Sequence, residues 1–196
     1  MSLHCYHCTA EPLLPTKLDD TLPALSCKKC QGIYLDLLTY RSWLESHAAH
    51  KTSEDSEAAE SDKQSSKTFD ASELKNTDNA LVCQRCRKFM LKYRINNEHK
   101  NTINVCHTCD DVWLDRGEWP LLKYLKMQDK LTAVMSEPWQ QQLRNQDREQ
   151  TFNKLYQQKL GDDFETVERF ALWLQNHPQK SEIQHYLSQY RSVSNK

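Results

Sequence analysis

Residues 106–119 read CHTCDDVWLDRGEW, and a further Cys-x-x-Cys pair, Cys83 and Cys86, lies 19 residues upstream of this stretch. A Cys-x-x-Cys turn lets two thiolates converge on one metal ion, and two such turns complete a tetrahedral Cys₄ site. The spacing between the pairs lies inside the range of structural zinc sites. The stretch therefore predicts a zinc ion bound by Cys83, Cys86, Cys106 and Cys109.

The chain contains a second copy of this pattern nearer its start. Its two Cys-x-x-Cys pairs are 18 residues apart and consist of Cys5, Cys8, Cys27 and Cys30. The residues after the second pair, QGIYLD (31–36), match DDVWLD (110–115). An internal repeat of this kind predicts one fold for both copies. We therefore expect two structural zinc ions per chain.

Size also favours zinc. Each copy has about 45 residues, below the size at which a hydrophobic core usually suffices. A structural zinc contributes on the order of 10–16 kcal/mol of apparent binding free energy. A disulfide framework or a redox pair is the alternative, but the sequence shows no sign of an oxidising compartment or of a βαβ unit. A closed Cys₄ site has no open position for water, so the zinc is expected to be structural.

Three histidines, His4, His7 and His107, lie beside the cysteine pairs. Imidazole also binds zinc. Because both cysteine sets are already complete, we expect these side chains to be exposed or to contact the ligands, and not to bind the metal.

A short strand and then a helix are predicted after each set of cysteines. In the second copy, Val112 and Leu114 fall on one face of the strand and Trp113 on the other. Asp115 suits the N-cap position, and Glu118 can reach back to the amide of Asp115.

In the first copy, Asp36 is expected to cap a helix that ends at about His47. The group Asp115, Arg116 and Glu118 has a catalytic interpretation as well. Capping accounts for both carboxylates without chemistry, so a structural role is favoured.

These residues resemble a known family. CHTCDDVWLDRGEW, with CQRC upstream, is similar to the transcription factor IIB-type zinc-finger domain of bacterial proteins, in which two Cys-Pro-x-Cys-Gly knuckles precede a Gly-Val-Trp-Leu-Asp-Arg-Gly-Glu-Leu tail. The resemblance covers about 40 residues of the second copy and, more weakly, the first. It implies zinc ribbons with rubredoxin-like knuckles and all eight cysteines as ligands. Most bacterial members have no assigned role, so the resemblance implies no transcriptional activity.

The chain departs from the family pattern at the knuckles. Their prolines are absent, and other residues replace their glycines, namely Thr9, Gln31, Arg87 and Asp110. Glycine adopts positive φ at little cost. These replacements are therefore expected to strain the backbone beside the cysteines.

The remaining organisation follows from composition. Residues 48–79 carry few apolar side chains, and 51–79 hold 4 basic and 8 acidic residues. This composition predicts a flexible acidic linker. The two ribbons are therefore expected to move independently. A short docking turn at 69–74 is the alternative. Helical spacing begins at Pro120: one helix through Leu131, one from Pro138 to Leu160 with a stop at Gly161, and two more up to Tyr190.

The expected fold class is therefore α+β. It consists of a first ribbon with a short helix (1–47), the linker (48–79), a second ribbon (80–119) and a helical region (120–196). Net charge is −1, and no run approaches the roughly 18 apolar residues of a membrane span. No basic-then-apolar signal begins the chain. We expect a cytoplasmic protein that does not bind membranes.

A basic hairpin at 85–100 carries the clearest charge cluster, with a net +5 over 83–105. Candidate nucleic-acid contacts are Arg85, Arg87, Lys88, Lys92 and Arg94. An ordinary solvated face is the simpler interpretation.

The function that the sequence favours is binding without catalysis. The chain has no Gly-rich phosphate loop, no Ser-His-Asp order and no HExxH motif, so neither an enzyme nor a small-molecule substrate is expected. We expect a zinc-binding adaptor that contacts an unidentified protein partner through its ribbons and helices. Binding of nucleic acid or the transcription machinery through the basic hairpin is the alternative.

Overall fold

One antiparallel sheet organises the first part of the molecule. The computed structural model describes residues 3–53 and 70–190. Six strands pair in the order β1-β2-β3-β6-β5-β4. They are β1 (Leu13–Leu18), β2 (Leu22–Cys27), β3 (Ile33–Asp36), β4 (Leu91–Arg94), β5 (Thr102–Cys106) and β6 (Asp111–Leu114). The mixed α and β composition agrees with the expected fold class.

The two copies of the repeat, predicted as ribbons over 1–47 and 80–119, meet at the centre of this sheet, where β3 pairs with β6. Tyr34 lies opposite Trp113, its own equivalent in the repeat, while Ile33 lies opposite Leu114. This register is that of two strands related by a two-fold axis, so the ribbons associate as the halves of a symmetric dimer do. The expectation that they move independently is therefore wrong, because their strands share one hydrogen-bonded ladder.

Both faces of the sheet are covered. Val112 and Leu114 point into an apolar core that includes residues of the neighbouring helices, such as Tyr40 and Leu122. Trp113 points to the opposite face and packs among the cysteines. The predicted alternation along β6 is thus confirmed. The cysteines of both clusters, with the side chains packed around them, cover this second face of the sheet.

Helices follow each ribbon. Their bounds are α1 (Leu37–Ser53), α2 (Glu118–Tyr124), α3 (Leu131–Val134), α4 (Glu137–Leu160), α5 (Phe164–Gln175) and α6 (Lys180–Gln189). The amide of Thr39 donates to the Asp36 carboxylate over 2.8 Å, which confirms the predicted cap of α1. The predicted end of this helix at about His47 is wrong, because α1 continues to Ser53, into the predicted linker. The helix predicted from Pro120 through Leu131 is wrong in extent. Lys126 adopts a left-handed φ of 55° and separates α2 from α3.

Residues 70–75, which precede the second ribbon, pack against the rest of the first unit. A 3₁₀ turn covers Ala71–Glu73, and the amide of Lys75 donates to the carbonyl of Arg116 over 3.0 Å. Leu74 packs against the main core. The docking turn at this end of the predicted linker is therefore present. Residues 54–69 of that linker lie outside the described part of the chain.

The chain forms two compact units, Met1–Asn145 and Gln146–Lys196. The first holds the sheet, both cysteine clusters and helices α1 to α3. The second holds the end of α4 together with α5 and α6, and Gly161, with a φ of 55°, ends α4 as predicted. Within the described ranges, no helix is long and apolar enough to cross a membrane.

Candidate metal centres

Two sets of four cysteine sulfurs converge in the first unit. In each set, one made of Cys5, Cys8, Cys27 and Cys30 and the other of Cys83, Cys86, Cys106 and Cys109, all ligand atoms lie within 4.8 Å of one another. The first cysteine of every pair is buried and the second is partly exposed. Each set can therefore hold one metal ion in a closed tetrahedral site, as the spacing of the pairs predicts.

The four knuckles share one backbone geometry. The residues that replace the family glycines all have positive φ, at 59° for Thr9, 61° for Gln31, 63° for Arg87 and 56° for Asp110. In three of the knuckles this residue donates its amide over 2.9 Å to the carbonyl of the first cysteine, as Gln31 does to Cys27. The expected backbone strain is present, and it turns each pair of sulfurs toward one point.

The thiols are placed so that a cation is needed to ionise them together. Burial raises the pKa of Cys5 to about 11 and also raises the pKa values of Cys30 and Cys83. A backbone amide, that of Lys88, holds the pKa of Cys86 down at about 7. Four thiolates this close repel one another, so a divalent ion bound there would supply the charge that releases their protons.

A buried carboxylate joins the two centres. Asp111 accepts hydrogen bonds from the hydroxyls of Tyr6 and Tyr34, over 3.1 and 2.9 Å, and from the guanidinium of Arg85 over 3.0 Å. Tyr6 lies between the ligands of the first knuckle, and Arg85 lies between Cys83 and Cys86. Burial raises the pKa of both tyrosines, and the charge of Asp111 and its hydrogen bonds to them raise it further. One side chain thus connects a knuckle of each ribbon.

In the first ribbon, Gly32 occupies the position equivalent to Asp111. The first ribbon therefore has no carboxylate there, and the hydrogen bonds around Asp111 have no counterpart in it. A Cβ atom at Gly32 would collide with the indole of Trp113. The first ribbon therefore accepts the Trp113 ring where the second ribbon places the Asp111 carboxylate. The sequence carries one weak signal for this role, since two aspartates follow Cys109 and only one of them occupies the strained knuckle position.

Asp115 has a different role from the predicted one. It does not cap α2, because Gly117, at φ 85°, is the residue before that helix. The Asp115 carboxylate instead accepts from the amide and hydroxyl of Thr77, over 2.5 and 2.9 Å, and from the Trp113 indole over 2.9 Å. Glu118 does reach back to the amide of Asp115, over 2.8 Å, as predicted.

The candidate nucleic-acid residues are largely engaged in contacts within the chain. Arg85 is paired with Asp111, and this contact raises its pKa. The ammonium group of Lys92 donates to the carbonyl of Thr77, and that of Lys88 donates to the hydroxyl of Thr108 over 3.3 Å. Arg87 occupies the strained knuckle position, and Arg94 lies on β4. Part of the local positive charge thus stabilises the second ribbon and the segment that precedes it.

The three histidines lie outside both sulfur clusters. The ring of His7 is 3.2 Å from the hydroxyl of Thr77, and that of His107 is 2.6 Å from the hydroxyl of Tyr93. His4 forms an isolated backbone bridge with Pro12. Two of these rings thus have hydrogen-bonding neighbours within the chain, and the expectation that cysteines alone supply the ligands stays a prediction.

The second unit presents a different kind of candidate site. Its helices carry ten large apolar side chains that are 38–64% exposed, namely Phe152, Leu155, Tyr156, Val167, Phe170, Leu172, Trp173, Tyr186, Leu187 and Tyr190. Among the described residues of this unit, Leu174 is the one buried apolar side chain. Contiguous exposed apolar area is typical of interaction surfaces, so these helices are a candidate for one.

Comparisons with protein-family models, with curated proteins and with solved structures gave no match. The similarity to the transcription factor IIB-type zinc finger therefore rests on the cysteine spacing and on the residues that follow Cys109.

Proposed function

We propose that this chain is a non-catalytic, cytoplasmic zinc protein that acts as a protein-binding adaptor. The zinc-held sheet of the first unit is the rigid body, and the helices of the second unit supply the contact surface. The observation that carries this proposal is the exposure of ten large apolar side chains in residues 146–190.

Zinc is the metal that best suits the two centres. Thiolate ligands select soft or borderline ions, and four of them in a closed tetrahedral site are typical of structural zinc. We expect protein purified without chelator to contain two zinc ions per chain. A metal content well below two would contradict the structural part of the proposal.

The residues of the second unit support protein as the partner. Tyrosine and tryptophan are enriched in the centres of protein interfaces, and the exposed set includes Trp173, Tyr186 and Tyr190. Because Arg85 and Lys92 have partners within the ribbons, the basic hairpin supports nucleic-acid binding less strongly than its sequence does.

The test is photo-crosslinking in cells with a photoreactive phenylalanine analogue at Tyr186. Phe89, which is 72% exposed on the second ribbon, is the matched control position. We expect protein adducts from position 186 that disappear when Phe170→Glu is added. Adducts from position 89 alone, or adducts that nuclease removes, would contradict the helical adaptor surface.

A further inference from the structure

We propose that the partner covering the apolar helices of the second unit is a second copy of this chain, bound through a two-fold interface. This inference rests on the proposed function, because it identifies the protein that the same surface binds. Three observations on residues 146–190 carry it, namely the lack of a core, the exposed area and the charge pattern.

The helices of this unit have few stabilising contacts within the unit. The 12 residues of α5 and the 10 residues of α6 are short enough to be marginal as isolated helices in water. A unit of this size usually needs disulfides, a metal or association to be stable. Both cysteine clusters lie in the first unit, which leaves association.

The exposed apolar area matches what a stable dimer buries. A fully exposed aromatic side chain offers about 150–250 Å², and six of the ten side chains are aromatic and on average about half exposed, so these six present about 600 Å² and the four aliphatic side chains add to it. A standard interface takes about 800 Å² from each partner. On α6, Ile183, Tyr186 and Leu187 follow helical spacing and form one stripe, as a packed helix face requires, and Tyr190 directly follows the end of the helix.

The charges of this unit complement a second copy of it. Residues 146–196 contain seven basic and seven acidic side chains and so have no net charge. The charges are segregated, however: 148–159 hold three basic residues and one acidic residue, whereas 162–168 hold four acidic residues and no basic one. Within the described chain none of those four acids has an ion-pair partner. A two-fold axis brings the basic segment of each copy to the acidic segment of the other.

Sedimentation of the full zinc-loaded chain across a hundredfold concentration range tests this inference. We expect a reversible dimer. Leu187→Glu, placed in the α6 stripe, should raise its dissociation constant by about 30-fold or more. The same change at an exposed apolar residue of the first unit, Phe89→Glu, should leave it unchanged. A wild-type monomer at all concentrations, or equal loss with Phe89→Glu, overturns the inference.

Charge reversal provides a test that does not depend on the apolar residues. One variant changes Asp162, Glu165 and Glu168 to Lys, and the other changes Arg148, Lys154 and Lys159 to Glu. Each alone is expected to be a monomer, and an equimolar mixture is expected to form a heterodimer. Zinc content measured in both variants verifies that the first unit is folded. A mixture that stays monomeric overturns the two-fold arrangement.

The two proposals fail in distinguishable ways. Crosslinks from Tyr186 with the mass of two chains support both of them. Crosslinks to a different protein, from a chain that sediments as a monomer, support the adaptor and overturn the second copy. The absence of any protein crosslink contradicts the adaptor itself.

Discussion

The two compact units of this protein contain similar large apolar side chains, most of which are buried in the first unit and exposed in the second. Trp113 in the first unit is fully buried among the cysteines, whereas Trp173 in the second is 53% exposed. The first unit has a sheet, two clusters of four cysteines and cores on both faces, and the second has helices with one buried apolar residue among those described. The first unit therefore has the buried layers that stabilise a fold, whereas most large apolar side chains of the second unit remain in contact with water.

Metal removal is expected to destabilise the first unit more than any substitution does. Each structural zinc contributes on the order of 10–16 kcal/mol, which is as large as the whole stability of an ordinary domain. A strong chelator should therefore abolish the tertiary signal of Trp113 and the sheet signal in circular dichroism. Protein treated with chelator already saturated with zinc is the control. A sheet that persists after complete zinc removal would show that the cores alone hold the first unit.

The two tryptophans provide the next test. Trp113→Ala opens a cavity in the buried layer and should destabilise the zinc-loaded protein by about 3–5 kcal/mol. Trp173→Ala should change the urea midpoint of the first unit very little, since its ring is already half in water. Equal losses of stability in the two variants would remove the distinction between the units.

Asp111→Ala tests the link between the ribbons. The change leaves two buried tyrosine hydroxyls and a guanidinium without their acceptor, and the expected cost is about 3–5 kcal/mol in urea unfolding. Asp129→Ala, at an exposed acid of the same unit, is the control and should be near neutral. If Asp111→Ala behaves like its control, the carboxylate does not join the two centres.

The pH dependence of the first unit is expected to include a contribution from Glu118. Burial, with the nearby Asp115 charge, raises the pKa of Glu118 from 4.5 to about 8. The folded state therefore holds a proton that the unfolded state releases, and stability from this group falls as pH rises from about 4.5 to about 8. Urea midpoints measured across this range should fall less steeply in Glu118→Gln than in the wild type. Parallel profiles would exclude this contribution.

The smallest expected effect concerns backbone strain in a knuckle. Thr9 is β-branched and has a φ of 59°, so Thr9→Gly should stabilise the zinc-loaded protein by about 1 kcal/mol. Ala10→Gly is the matched control at the next position, where φ is not positive, and it should not stabilise. A loss of stability in Thr9→Gly would show that the side chain contributes more than its backbone strain costs.

Much of the first unit is predictable from local signals. Cysteine spacing identifies both ligand sets, the alternation of Val112, Trp113 and Leu114 identifies the strand faces, and the glycine replacements mark the strained knuckles. The spacing of cysteines in a candidate zinc site and the alternation of side chains along a strand both involve residues that are close in sequence. Local patterns of this kind are therefore readable without the fold.

The association of the two ribbons cannot be predicted from local sequence patterns. Pairing of β3 with β6 joins residues about 80 positions apart, and a repeat predicts two similar folds without saying whether they touch. Asp115 resembled a cap because its partner Thr77 is distant in sequence. Arg85 resembled a nucleic-acid contact for the same reason, since Asp111 neutralises it only in the folded chain.

Hydrogen exchange of the zinc-loaded chain at low and high protein concentration tests the central comparison most directly. We expect the amides of β5 and β6 to be strongly protected at both concentrations. The amides of α5 and α6 should exchange rapidly when dilute and gain protection as the concentration rises, because a second copy covers them. Strong protection of α5 and α6 at every concentration would contradict the account, since it would mean that the second unit is stable alone.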